Sequence, residues 1–423
     1  MRGTHAAHHS AHAEAISHLR KGLELVTSLP PGSERDCEAL ALRIALCPLL
    51  IANKGNAAAE VEQIYREAFA LCQHAGDNAQ HFSVLFGLRS CHLVRGDVHK
   101  AHELGAQLLH TAALAEDQDL KLEAHLAFGN TCFIRGDFMA ARAHFEECLA
   151  HYDRHRHQGH ATIYGLDPGL FSLGRLIWTL WALGYPAQAQ KKISELQTLI
   201  QDHPHPYSVA ISLLHAAWGH FLLREAPQAR HYAEAAQALS AKHHFPHLAG
   251  GASLCRGWAL LESGRPVEGL ADIQHGLAAC RATGATLLMS FYTSLLAEAF
   301  RQSGDHAQGL PVVAEALQIA QQNGESLHTA ELYRLQGELI AGIPEADGKP
   351  QAEVLFRFAI DIARGQAAKS LELRATLSLA RLLRPGSQSA AARKLLEAIY
   401  GWFTEGHATK DLTEAKVMLD TWT

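Results

Sequence analysis

A chain of 423 residues would ordinarily divide into two or three globular domains, and its 37 basic against 43 acidic residues leave a net charge of −6, with no basic footprint for nucleic acid. No run of eighteen apolar residues occurs, since even 170–185 carries Arg175, so no membrane span is expected. The eight cysteines include no CxxC pair and the start lacks a secretion signal's apolar stretch, which fits a reducing, cytoplasmic setting with Cys91, Cys132 and Cys255 as small core residues.

In chain order, a first helix is expected over 11–28, ahead of the loop Pro30-Pro31-Gly32-Ser33. Helical hairpins follow near 37–74, 78–115, 119–151, 167–201, 207–242, 247–282, 286–323, 327–364 and 370–403, and a closing helix over 411–419 caps the open end. Two insertions, 152–166 and 342–351, break the rhythm and are expected as loops. The boundaries read as a tail, first helix and loop over 1–36, a repeat superhelix over 37–403, and a capping helix over 404–423.

The hairpins are visible because one step recurs about every forty positions. A small residue stands five places after a turn in Gly96/Ala101, Gly136/Ala141, Gly184/Ala189, Gly264/Gly269, Gly304/Gly309 and Gly386/Ala391. Within 286–323, Leu288, Tyr292, Leu295, Leu296 and Ala299 form a helical stripe, not the alternation of a strand. Gly304 supplies a left-handed helix end and Asp305 a cap for the next helix, a device repeated by Gly96-Asp97 and Gly136-Asp137. Pro186, Pro227 and Pro266 sit where an opening helix tolerates a missing N–H. Arg224 replaces the turn glycine in one unit.

This pattern resembles the tetratricopeptide repeat. Gly129, Ala217, Gly257 and Ala297 match that family's small residue on the first helix, and Ala236, Gly276 and Ala316 its small residue on the second. Arg89, Ile177 and Leu108 depart from it, and the forty-residue period lengthens each helix by nearly one turn over the family's usual thirty-four. The fold expected is an all-α, tetratricopeptide-like α-solenoid of about nine hairpins.

A closer resemblance rests on Ala-Glu-Val-Glu-Gln-Ile-Tyr at 59–65, Ile-Tyr-Gly-Leu-Asp-Pro-Gly at 163–169 and Leu-Trp-Ala-Leu-Gly-Tyr-Pro at 180–186. Arg-Gly-Trp-Ala-Leu at 256–260, Ala-Glu-Leu-Tyr-Arg-Leu-Gln-Gly-Glu-Leu at 330–339 and Ile-Tyr-Gly-Trp-Phe-Thr-Glu-Gly at 399–406 belong with them. From about Ala13 to Trp422 the chain is similar to the C-terminal repeat region of bacterial fusions of a class III adenylate or guanylate cyclase with a P-loop signalling ATPase. The resemblance implies a regulatory and binding role. Cyclase or ATPase activity would belong to upstream domains, because neither a phosphate loop nor HExxH, GxSxG or GxGxxG after a strand occurs here. The chain itself is therefore expected to be non-enzymatic. The alternatives are a fragment of such an enzyme and the repeat domain of an ATPase-type transcription activator.

The 29 histidines invite a metal reading. His5, His8, His9 and His12 lie in an expected frayed tail, and His151, His155, His157 and His160 in the first insertion. The His151/His155 spacing could chelate zinc on a helix, but an insertion read as a loop offers no completed site, so neither metal nor cofactor is expected. His203, His205, His243, His244 and His247 are expected as solvated loop residues.

One constellation rises above this background. Trp178, Trp218 and Trp258 stand six residues before the turn in three consecutive units, with Asn130 and Glu298 at the same station in flanking units and Trp181 and Phe221 about one turn later. Either this ladder lines the concave groove and grips a protein or peptide, or the lengthened helices bury it between hairpins.

Overall fold

The computed structural model describes residues 2–72, 78–343 and 348–422, apart from the side chains of 2–13 and 52–54. Among the described residues there are 21 helices and no strand. After α1 (Arg2–Thr27) come the pairs α2 (Ser33–Lys54) and α3 (Ala59–Cys72), α4 (Asn78–Val94) and α5 (Val98–Ala115), and α6 (Gln118–Ile134) and α7 (Phe138–His151). A short α8 (His160–Tyr164) precedes α9 (Pro168–Ala182) and α10 (Pro186–Leu199), α11 (Pro206–Leu222) and α12 (Ala226–His243), and α13 (Pro246–Glu262) and α14 (Pro266–Ala282). The last pairs are α15 (Met289–Gln302) and α16 (His306–Asn323), α17 (Thr329–Ala341) and α18 (Lys349–Gly365), and α19 (Lys369–Leu383) and α20 (Ser389–Tyr400), closed by α21 (Lys410–Asp420). The architecture is a tetratricopeptide-like α-solenoid. Its first helix already begins at Arg2, inside the segment expected as a tail.

Local chemistry accounts for the hairpins. The turn glycines at 96, 136, 184, 264 and 304 hold φ between 74 and 91°, and the Asp97 and Asp137 carboxylates accept from the N–H groups of Lys100 and Ala140. Asp305 departs from this, because Gln308 Nε2 donates to its carboxylate and no side-chain cap forms. Gly386 departs too: it is not left-handed, since α19 hands over through a longer bend in which Gly386 N donates to Leu383 O. α13 and α14 cross backbone to backbone. A Cβ on Gly257 would stand 2.7 Å from Gly269 O.

The superhelix winds tightly enough for successive turns to touch. Val94 O, at the end of α4, accepts from Thr286 N and Leu287 N ahead of α15 at 2.9 and 3.2 Å. Forty residues further on, Ile134 O accepts from Ser326 N and Leu327 N ahead of α17 at 3.0 and 3.2 Å, and Trp181 O accepts from Ser370 Oγ of α19 at 2.5 Å. Carbonyls left orphaned at a helix end thus find donors five hairpins later. The same logic caps α10: its N-cap residue Tyr185 supplies no side-chain bond, and Glu405 Oε1 accepts from Ala187 N and Gln188 N at 3.1 and 3.0 Å. A Cβ on Gly96 would meet Asn323 Oδ1 at 2.5 Å and one on Gly136 would meet Gln366 Nε2 at 2.2 Å, whereas Gly264 and Gly304 have nothing within 4 Å among the described residues.

Arg224 explains its own departure from glycine. It adopts φ 60°, which costs a side-chain residue about 1–2 kcal/mol. In return its guanidinium crosses to α21 and pairs with Asp411 at 3.1 Å and Glu414 at 2.9 Å.

The first insertion runs as the expected loop over 152–159 but not throughout. It carries α8 and packs His157 and His160 inward, 2% and 9% exposed, because α6 presents Asp119 and Glu123 to their rings; His151 and His155 stay exposed. His203, expected to be solvated, is buried against Asp167 Oδ2 at 3.3 Å, and His205 caps α11 by accepting from Ser208 N. His247 is half-buried, with its ring 6.0 Å from that of Tyr292. In the second insertion, residues 344–347 lie outside the described residues.

Candidate partner-binding interior

The forty-residue register places Trp178, Trp218 and Trp258 at one station of α9, α11 and α13, all facing the superhelix interior and all buried. Phe291 of α15, itself fully buried, stands 4.9 Å from both Trp178 and Trp218 and 5.8 Å from Phe221, edge to face each time. Phe221 is half-buried and bridges Trp218 at 5.3 Å to Trp258 at 4.6 Å. A ring that touches hairpins two and three places away can do so only on the concave side. Such pairs each add about 0.5–1.5 kcal/mol beyond their burial. The ladder therefore faces the concave side and is packed into the core there.

The other sequence-predicted site residues disperse around this cluster. Trp181 is buried beneath Arg374, whose guanidinium lies 4.6 Å above its ring and donates to Leu222 O at 2.8 Å. A void of about 10 Å³ between Trp181, Leu222, Ser370 and Leu412 has room for about one water. Glu298 is half-buried and pairs with Arg301 at 2.7 Å; burial opposes its charge, but Arg301 still holds its carboxyl below the usual range. Asn130 is 5% exposed, and its Oδ1 has no hydrogen-bond partner among the described residues.

Two further residues give this interior its charge. Arg89, 3% exposed, donates to Thr131 Oγ1 at 2.7 Å and to Ala127 O. Arg175, 6% exposed, lies about 5 Å above the rings of both Phe133 and Phe171, and its Nε has no hydrogen-bond partner among the described residues. Neither forms an ion pair among the described residues. Burial lowers the pKa of Arg89 to about 9, helped by the charge of Arg175, and burial lowers that of Arg175 to about 10. His215 Nδ1 is another buried atom without a partner, and burial together with Arg175 holds this imidazole well below its ordinary pKa. The sequence signal for the pair lay in two irregularities: Arg89 at a small-residue position, and Arg175 interrupting the apolar stretch 170–185.

No helix among the described residues is long and apolar enough to cross a membrane. No family model matches the chain, and no curated protein matches it. Among solved structures the fold is similar to that of a Rap protein complexed with competence and sporulation factor, at 10% identity and a TM-score of 0.63 over 85% of this chain and 99% of that one. It is also similar to the Rap conjugation gene regulator of plasmid pLS20 in complex with the Phr* peptide, at 10% identity and a TM-score of 0.51 over 90% and 96% of the two chains. At that identity the likeness is one of fold: a superhelix of helical hairpins.

Proposed function

We propose that the chain is a non-catalytic regulatory module that binds an anionic peptide or protein segment on its concave side. The observation that supports this reading is the pair Arg89 and Arg175, two buried guanidiniums beside an aromatic ladder and without a carboxylate partner among the described residues. A charge held out of water without a counter-charge is costly, and an incoming carboxylate relieves that cost through paired N–H···O bonds. Trp178, Trp218, Trp258 and Phe221 would supply the apolar contact, with Trp181, Asn130 and Glu298 around them. Entry of a segment separates the turns at Val94/Thr286 and Ile134/Ser326, so a ligand with higher affinity for the parted form shifts the chain towards it.

The resemblance to cyclase–ATPase fusions gives this module its proposed setting: a cytoplasmic sensor whose occupancy is reported to catalytic domains elsewhere in the same protein. Peptide-display selection against the purified chain tests the binding role. Enriched peptides should carry Asp, Glu or a free C-terminal carboxylate, and Arg175→Gln should abolish their capture without lowering the melting temperature. Enrichment of neutral peptides, or capture indifferent to Arg175→Gln, would sink the reading.

A further inference from the structure

We propose that Asp119, His157 and His160 form a divalent transition-metal site of zinc type, which staples the 152–166 insertion to α6. One donor atom from each residue lies within 4.8 Å of the other two. His157 Nε2 is 3.1 Å from Asp119 Oδ1, and the two imidazoles stand 4.9 Å apart at 81°. Donors around zinc at about 2.0–2.1 Å are roughly 3.3 Å from one another, so a small contraction closes the set. Two imidazoles with one carboxylate select zinc and its neighbours over magnesium or calcium, which take oxygen ligands.

The surroundings are those of a built site. His157 Nδ1 lies 2.9 Å from both Asp153 O and Asp153 N, so the backbone of Asp153 anchors the ring, and the tautomer that donates to the carbonyl is the one that leaves Nε2 free to bind metal. His160 Nδ1 lies 2.7 Å from Glu123 Oε1, the carboxylate–histidine pairing that orients metal-bound rings. The second, independent observation is Glu123 itself. It is 0% exposed, and its Oε2 has no hydrogen-bond partner among the described residues, so a buried carboxyl group stands beside His160 with half its capacity unused. A bound cation supplies the missing positive charge. Arg156, more than half exposed, reaches Asp119 Oδ1 at 2.7 Å from outside, and the metal displaces it.

The test uses the full chain with His5, His8, His9 and His12 changed to Gln, which removes the N-terminal histidines as competing chelators. After treatment with EDTA, titration with Co(II) and then Zn(II) should show one equivalent, tetrahedral cobalt absorption and a raised melting temperature. His157→Ala and His160→Ala should remove the equivalent, Asp119→Asn should weaken it at least tenfold, and Glu123→Gln should weaken it about 10–100-fold. His151→Ala combined with His155→Ala should change nothing. Metal-free melting temperatures of the variants separate loss of ligand from loss of fold, and Asp119→Asn keeps the shape of the side chain. Sub-stoichiometric binding, or an equivalent that survives loss of both His157 and His160, overturns the proposal.

Discussion

Gly184 and Trp402 meet across one turn of the superhelix: a Cβ on Gly184 would fall 2.4 Å from Trp402 Cζ3, and Gly184 also holds φ 91°. Gly184→Ala therefore carries two penalties, about 1–2 kcal/mol for the left-handed backbone and about 1–3 kcal/mol for overpacking. Gly304→Ala carries only the first, because nothing lies within 4 Å of it. Denaturant unfolding of both variants is the check, and equal losses would contradict the turn-to-turn contact.

Trp218→Ala is expected to cost about 3–5 kcal/mol, since the indole is 4% exposed and packs against Phe221, Phe291 and Tyr292. Thermal melts measure it. A variant that keeps its stability while losing peptide capture would mean that the ladder is open in solution.

Asp411 joins three elements, accepting from Arg374 of α19 at 2.7 Å and from Arg224 at 3.1 Å. Asp411→Asn leaves both guanidiniums short of a partner, at a cost of about 2–3 kcal/mol, less than the figure for a fully buried pair because the groups keep some exposure. Hydrogen exchange should quicken in α21 and at the end of α11, and the radius of gyration should grow. Unchanged exchange in α11 would show that the latch contributes nothing.

Acid should withdraw the contribution of His328 before ordinary carboxylates titrate. Burial lowers the His328 pKa to about 4, with Arg374 and Arg334 acting the same way against the opposing charge of Glu331. The folded chain thus prefers the neutral ring. Stability from this group is complete above pH 6.5 and falls as pH drops from 6.5 to 4, by about 3 kcal/mol in total. His215 is shifted in the same direction and adds to the loss. Glu123, whose carboxyl burial pushes up to about 7, gains stability over the same range, so the check is a difference: a slope of melting temperature between pH 6.5 and 4.5 left unaltered by His328→Leu would contradict this.

The hairpins were legible because their determinants are local: a left-handed glycine, a capping aspartate and a small residue at the crossing all lie within one forty-residue unit. The winding was not legible. It sums small rotations over five hairpins, and no single unit encodes the meeting of Val94 with Thr286. Arg224 in place of a turn glycine was its visible trace. The Trp178, Trp218 and Trp258 register was readable, but Phe291, which covers two of these indoles, belongs to a hairpin whose path depends on that winding. The burial of His157 and His160 was missed for a similar reason, because their partners Asp119 and Glu123 sit on an earlier helix.

The contacts between turns change how such a molecule comes apart. In a straight repeat array each unit leans only on its neighbours, so the ends fray first and the middle survives. Here α21 grips the end of α11 through Arg224, and Glu405 caps α10, so the last helix and the loop before it help to hold the centre of the chain. Thermal melting should accordingly be a single cooperative step, and removal of 404–423 should lower the protection of α10 and α11 as well as that of the exposed end.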